Sequence, residues 1–158
     1  MTSHDDLTIH DVRTELEKVR TVMLTSIDEA GTLSSRPLTL LDLDINGDPW
    51  FLVDAQATWV GPIDVAPVNI AVATEDFWVS FAGRASIERD PARIADLRNA
   101  VTDAFFAEDA EPVALRVATE QIEWWASDGA LRTALQVAKA AVTGGSPDLG
   151  ASGTIDAR

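Results

Sequence analysis

Between residues 21 and 88, five short stretches rich in β-branched and aliphatic residues follow one another, mostly joined by links of a few residues. Parallel strands need a crossover of about a dozen residues or more, so links this short make neighbouring strands antiparallel. The stretches are 21–28 (TVMLTSID), 34–45 (SSRPLTLLDLDI), 49–54 (PWFLVD), 68–73 (VNIAVA) and 77–88 (FWVSFAGRASIE). In the second, Leu41, Leu43 and Ile45 alternate with Asp42, Asp44 and Asn46, the period of a strand with one wet face. Asn46-Gly47 predicts a type I′ hairpin turn, which needs positive φ at both central residues. Gly83 predicts a bend or bulge in the fifth strand.

Helical patterns flank this block. Leu7, Val12, Leu16 and Val19 supply the apolar positions of an amphipathic helix over 4–20, with acids at its start and Lys18 and Arg20 at its end. Asp90-Pro91 reads as an N-cap with proline at the first helical position, opening a helix over 91–105. Residues 112–119 (PVALRVAT) and 121–126 (QIEWWA) add one or two strands, and 130–142 is an alanine-rich helix. Gly61-Pro62 places a short irregular helix in 55–66. The expected layout is one domain over 4–142, an antiparallel barrel over 21–127, and a disordered tail over 143–158.

Charge excludes several functions. The 158 residues carry 26 acids against 12 bases, a net charge of −14, which repels nucleic-acid phosphates. Between Arg20 and Arg84 the only base is Arg36, so an anion bound there must rely on it, on backbone N–H groups or on a distant base. No apolar run reaches the roughly 20 residues that span a bilayer. The N-terminus is polar and acidic and the chain has no cysteine, so the expectation is a cytoplasmic protein without disulfides or thiolate chemistry.

Residues for acid–base or metal chemistry are scarce. His4 and His10 both fall in the first helix at a spacing that suits no metal, and no histidine falls in the barrel, which excludes a Ser-His-Asp triad within the chain. Asp42, Asp44 and Asp48 flank the hairpin and read as a solvated strand face. The five tryptophans are the informative group, because each indole N–H wants a partner when buried. Trp50 and Trp124 read as core. Trp59, Trp78 and Trp125 read as candidates to line a site for a planar ligand, or an interface.

Four landmarks recur in a characteristic order: VMLTSIDEAGTLSSRPL (22–38), GDPWFLVD (47–54), FAGRASIERDPARIADL (81–97) and EQIEWW (120–125). In these the chain resembles the flavin-nucleotide-binding split-barrel families, pyridoxamine 5′-phosphate oxidase and, more closely, the general stress protein 26 group. The resemblance implies an α+β fold: a six-stranded antiparallel split β-barrel with flanking helices, forming a homodimer. It implies FMN in grooves at the dimer interface. The implied contacts are Arg36, Pro37, Leu38 and Thr39, with Leu40 and Leu41 following; Leu52 and Val53; Thr58 and Trp59; Trp78; and Trp125 reaching from the partner chain. No metal is implied.

The chain departs from that pattern in two places. Where the family has Ser-x-Lys to hold the flavin phosphate, this sequence has Ala57-Thr58-Trp59. Losing charge-assisted hydrogen bonds worth about 1.5–3 kcal/mol each weakens binding by about a hundredfold at 3 kcal/mol. The Arg-x-His with which pyridoxamine phosphate oxidases grip their substrate is also missing: residues 126–132 read ASDGALR. The expectation is a stress-type FMN-binding protein open to oxidoreductase chemistry, but not a true pyridoxamine phosphate oxidase. The alternative is a flavin-free dimer, a binding or structural protein with Trp59 filling the phosphate groove.

Overall fold

Gly47 lies at φ +80° and turns the chain back on itself, but as the third residue of a three-residue loop. The Gly47 N–H donates to the Asp44 carbonyl at 3.0 Å and the Asp44 N–H to the Asp48 carbonyl at 3.1 Å. Asn46 keeps a negative φ, so the expected type I′ turn is replaced by a type I turn closed by a left-handed glycine. The Asp44 carboxylate makes this possible by accepting from the N–H groups of Asn46 and Asp48 at 2.8 and 3.1 Å.

The computed structural model describes residues 8–127 and 151–156. Its elements run α1 (Ile9–Leu16), β1 (Thr21–Ile27), β2 (Leu33–Thr39), β3 (Asp42–Leu43), β4 (Pro49–Asp54), α2 (Val60–Ile63), β5 (Pro67–Ala73), β6 (Phe77–Glu88), α3 (Pro91–Leu97), α4 (Ala100–Phe105), β7 (Pro112–Ala126) and β8 (Ala151–Asp156). Every pairing is antiparallel, in the order β2-β1-β5-β6-β7-β4-β3, with β8 also on β7. The result is a curled sheet, a half-barrel, as expected for a split barrel.

Several boundaries differ from the sequence reading. The expected strand over 34–45 breaks at Leu40-Leu41, because its two halves serve different neighbours. The Leu40 N–H donates to the Arg20 carbonyl, beside β1, and the Leu41 N–H to the Trp50 carbonyl in β4. The helix expected over 91–105 divides at Arg98, which is extended. Asn99 then restarts it, its side chain accepting from the Thr102 N–H at 3.0 Å. Residues 112–126 form one long strand, bulged where Gly83 faces Thr119 and Ala82 faces Gln121. Part of the tail expected to be disordered forms β8. The helix expected over 130–142 and the start of the one expected over 4–20 lie outside the described residues.

The core fills the concave side of the sheet. Leu24, Ile70, Phe81, Leu115, Ile122 and Trp124 are almost fully buried there, and α1 closes one side through Val12 and Leu16. On the other face of β4 and β7, α3 covers a smaller cluster of Trp50, Leu97 and Ala114. Among the described residues no helix is long and apolar enough to cross a membrane.

Val65, in the turn after α2, has φ +57°, a conformation that a β-branched residue adopts at a cost of about 1–2 kcal/mol. The ladder holds it there: its N–H donates to the Ala85 carbonyl at 3.0 Å, and its carbonyl accepts from Arg84. Because the side chain is exposed, Val65→Asn is expected to stabilise the protein by about 0.5–1 kcal/mol. A rise in the urea midpoint with unchanged slope is the check.

Candidate functional site

Alternation along the β1–β2 hairpin sets the site. Arg36 pairs across from Leu24, and Ser34 from Ser26, so all four face the concave side. Ser26 is buried, and its hydroxyl accepts a hydrogen bond from Arg36 Nη1 at 2.9 Å. Beyond β4, the Asp54 carboxylate accepts from the Gln56 and Glu111 N–H groups, and the Ala57 N–H returns to the Asp54 carbonyl. This turn leads into α2, whose Val60 and Ile63 plug into the core. Trp59 is thereby laid across the guanidinium of Arg36, with Cζ 4.4 Å from the ring centroid. Such a contact contributes about 0.5–2 kcal/mol and fixes both side chains.

Beside this stack, at the mouth of the half-barrel, is a cavity of about 410 Å³. It is lined by Arg36 and, from α2 and the turn before it, Thr58, Trp59, Pro62 and Ile63, together with Ser26, Ile27, Asp28, Glu29, Ala30 and Ser34 of the β1–β2 hairpin. Trp59 is half-buried, packs against the main core and lines the cavity. Among the described residues the lining includes one cation and two acidic residues. Asp28 is fixed by the hairpin turn, accepting from the N–H groups of Ala30 and Thr32 at 2.9 and 2.8 Å.

The other expected contacts lie elsewhere in the chain. Pro37 is exposed, pairing with Met23 on the convex face. Leu38 packs on the main core, and Thr39 is half-buried at the end of β2. Val53 is buried in the main core, whereas Leu52 points oppositely into the cluster under α3. Trp78 and Trp125 are cross-strand partners on the convex face, 38% and 44% exposed. One chain therefore gathers Arg36, Thr58 and Trp59 at the cavity, and pairs the two outer tryptophans on a separate surface. Trp50 and Trp124 are core, as their sequence context suggested.

The hairpin acids are not a solvated face. Asp48 is fully buried, its Oδ2 accepting from Arg116 Nε and Nη2 at 2.9 and 2.6 Å and its Oδ1 from the Thr119 N–H at 2.9 Å. Asp42 pairs with Arg93 at 2.8 Å, and Arg93 in turn stacks on Trp50 at 4.1 Å. Asp44 Oδ2 accepts from the Trp50 indole at 3.0 Å. Arg116, isolated in an apolar strand, was the sequence signal for this network, because a cation there needs a carboxylate partner.

Desolvation acts to raise the Asp44 carboxyl, but the Trp50 indole, the Asp48 and Asn46 N–H groups and Arg116 outweigh it and hold it below the usual aspartate value. The unfolded chain then takes up this proton more readily than the native one. The resulting stability is complete above the unfolded-chain value and is lost as pH falls through the lower native value. Urea unfolding below about pH 4 is therefore expected to show a steeper acid loss in the wild type than in Asp44→Asn.

A second cavity, of about 270 Å³, lies between α1 and β3, lined by Arg13, Arg20, Glu17, Asp42 and aliphatic residues. Arg13 donates to the Leu43 carbonyl there.

The family model described as pyridoxamine 5′-phosphate oxidase like matches residues 8–148. No curated protein matches the chain. Among solved structures it is similar to a general stress protein 26 from Jannaschia sp., with 22% identity over 93% of this chain and 96% of that one and a TM-score of 0.67. It is also similar to a pyridoxamine 5′-phosphate oxidase-related, FMN binding protein from Nostoc punctiforme, with 15% identity, coverage of 74% and 83%, and a TM-score of 0.58. An FAD binding protein from Mycobacterium smegmatis gives 18% identity, coverage of 75% and 94%, and a TM-score of 0.57. At these identities the structures attest the shared half-barrel. The family match, spanning most of the 158 residues, makes the chain a member of the pyridoxamine 5′-phosphate oxidase-like family.

Proposed function

We propose that the protein binds a flavin in the cavity at the mouth of its half-barrel, beside the Arg36–Trp59 stack. The observation that carries this reading is the open space beside the stack. Trp59 lies over Arg36 and still leaves about 410 Å³, a volume in the range of small-molecule sites.

The residues suit parts of a flavin. The part of the Trp59 indole that Arg36 does not cover offers an apolar wall to a heterocycle, and the free edge of Arg36 offers donors to its carbonyl groups. The hydroxyls of Ser26, Ser34 and Thr58 match a polyol chain. FMN is the form implied by the family resemblance, and the Nostoc and Mycobacterium relatives are described as FMN and FAD binding. A bound flavin supplies hydride or single-electron transfer, so the side chains need only bind it, orient it and exclude water. Among the described residues the lining contains no histidine or cysteine. In the same proposal two chains associate through the convex face. Met23, Ile27, Leu33, Trp78 and Trp125 are exposed apolar side chains on it.

Equilibrium dialysis of the purified protein against riboflavin and FMN tests the reading. Saturable uptake of one flavin per chain, abolished by Arg36→Ala, is expected. Absence of saturable uptake of either flavin at about 100 μM, a free energy weaker than about −5.5 kcal/mol, overturns it.

A further inference from the structure

Within the flavin reading, on which this inference rests, we propose that the cavity selects a flavin whose side chain ends in a hydroxyl, as in riboflavin, over one that ends in a phosphate. The charges lining the cavity carry the proposal. Arg36 is its one cation among the described residues, and Asp28 and Glu29 are two acidic residues of the same lining. Among the described residues the formal charge of the lining is therefore negative. A phosphate monoester brings about −1.5 to −2 more at neutral pH.

Arg36 is also partly committed. One face of its guanidinium lies against the Trp59 ring at 4.4 Å, and its Nη1 donates to Ser26 at 2.9 Å. The planar fork that would grip a phosphate with two parallel bonds is thus held in place for other partners. Asp28 cannot readily turn away, because its Oδ1 closes the hairpin by accepting from two N–H groups. The whole chain, at −14, adds repulsion of the same sign. A neutral polyol meets none of this, and finds three hydroxyls.

Fluorescence titrations of the full chain with riboflavin and with FMN, at two ionic strengths, test the proposal. Riboflavin is expected to bind at least about tenfold tighter than FMN at low salt. Raising the ionic strength from about 0.01 to 0.15 M shortens the screening length from about 30 to 8 Å. It should tighten FMN binding and leave riboflavin unchanged. In Asp28→Asn/Glu29→Gln, which keeps the turn-closing Oδ1 acceptor, FMN should gain affinity and riboflavin should not. FMN binding as tightly as riboflavin, or weakening with salt, overturns the selectivity and leaves the flavin reading standing. Failure of both flavins to bind overturns both.

Discussion

Asp48→Ala is expected to lower stability by about 3 kcal/mol, toward the lower end of the range for breaking a buried ion pair from one side. Asp48 is wholly inaccessible and holds three elements together. It begins the return limb of the β3–β4 hairpin, takes both nitrogens of an arginine fork from β7, and accepts from the Thr119 N–H at the β7 bend. Thr119 adds a bond from its hydroxyl to the Gly47 carbonyl, so hairpin and bend are tied twice. The variant strips Arg116 of its close carboxylate and leaves Glu88 at 3.8 Å. Its side chain keeps 28% exposure, so water recovers part of the loss. Asp48→Asn keeps one acceptor oxygen and should cost less. Urea midpoints with an unchanged slope are the measurement. A loss under about 0.5 kcal/mol, the size of a typical surface substitution, would show the pair to be dispensable.

Gly83→Ala is the second large effect. A Cβ there would lie 2.3 Å from the Ala118 carbonyl oxygen, 2.9 Å from its carbon and 3.0 Å from the Thr119 Cα. All three atoms are backbone, so no rotamer change relieves the clash, and the bulge joining β6 to β7 must open. Overpacking of this kind costs about 1–3 kcal/mol, a fall in Tm of roughly 2–4 °C per kcal/mol in a chain of this size. Gly61→Ala is the control: nothing lies within 4 Å of its Cβ position, so its melting temperature should be unchanged or slightly raised. Equal melting temperatures for the two variants would contradict the close approach at the bulge.

The antiparallel half-barrel was legible because alternation and short links survive in any homologous packing of the strands. The break at Leu40-Leu41 was not, because the alternation runs on unbroken through it and only the change of hydrogen-bonding neighbour marks it. The last strand was hidden by its composition. Residues 151–156 read ASGTID, and Gly153 is required because a Cβ would sit 2.7 Å from the Trp124 indole nitrogen. A residue that signals a flexible tail is there the only one that fits over a buried ring.

The candidate site was legible in part. Arg36 stood out as the lone base of a long stretch, and the structure seats it in the cavity with Thr58 and Trp59. The residues next to it in sequence could not all join it, since neighbours on a strand face opposite sides. Thus Leu52 and Val53 divide between two clusters, and Pro37 turns to the convex face. The Arg36–Trp59 stack was beyond sequence reasoning because it depends on Val60 and Ile63 anchoring α2 across the hairpin. The buried Asp48 network was missed because hydropathy alone reads an acid beside a turn as wet.

The most direct test of a flavin site at the mouth of the half-barrel is a ¹H–¹⁵N spectrum of the five indole N–H groups during a riboflavin titration, with Trp59 assigned by Trp59→Phe. The Trp59 signal is expected to shift saturably with the bound fraction, while those of Trp50 and Trp124 stay in place. A Trp59 signal that does not move while riboflavin binds would put the flavin elsewhere and contradict the assignment.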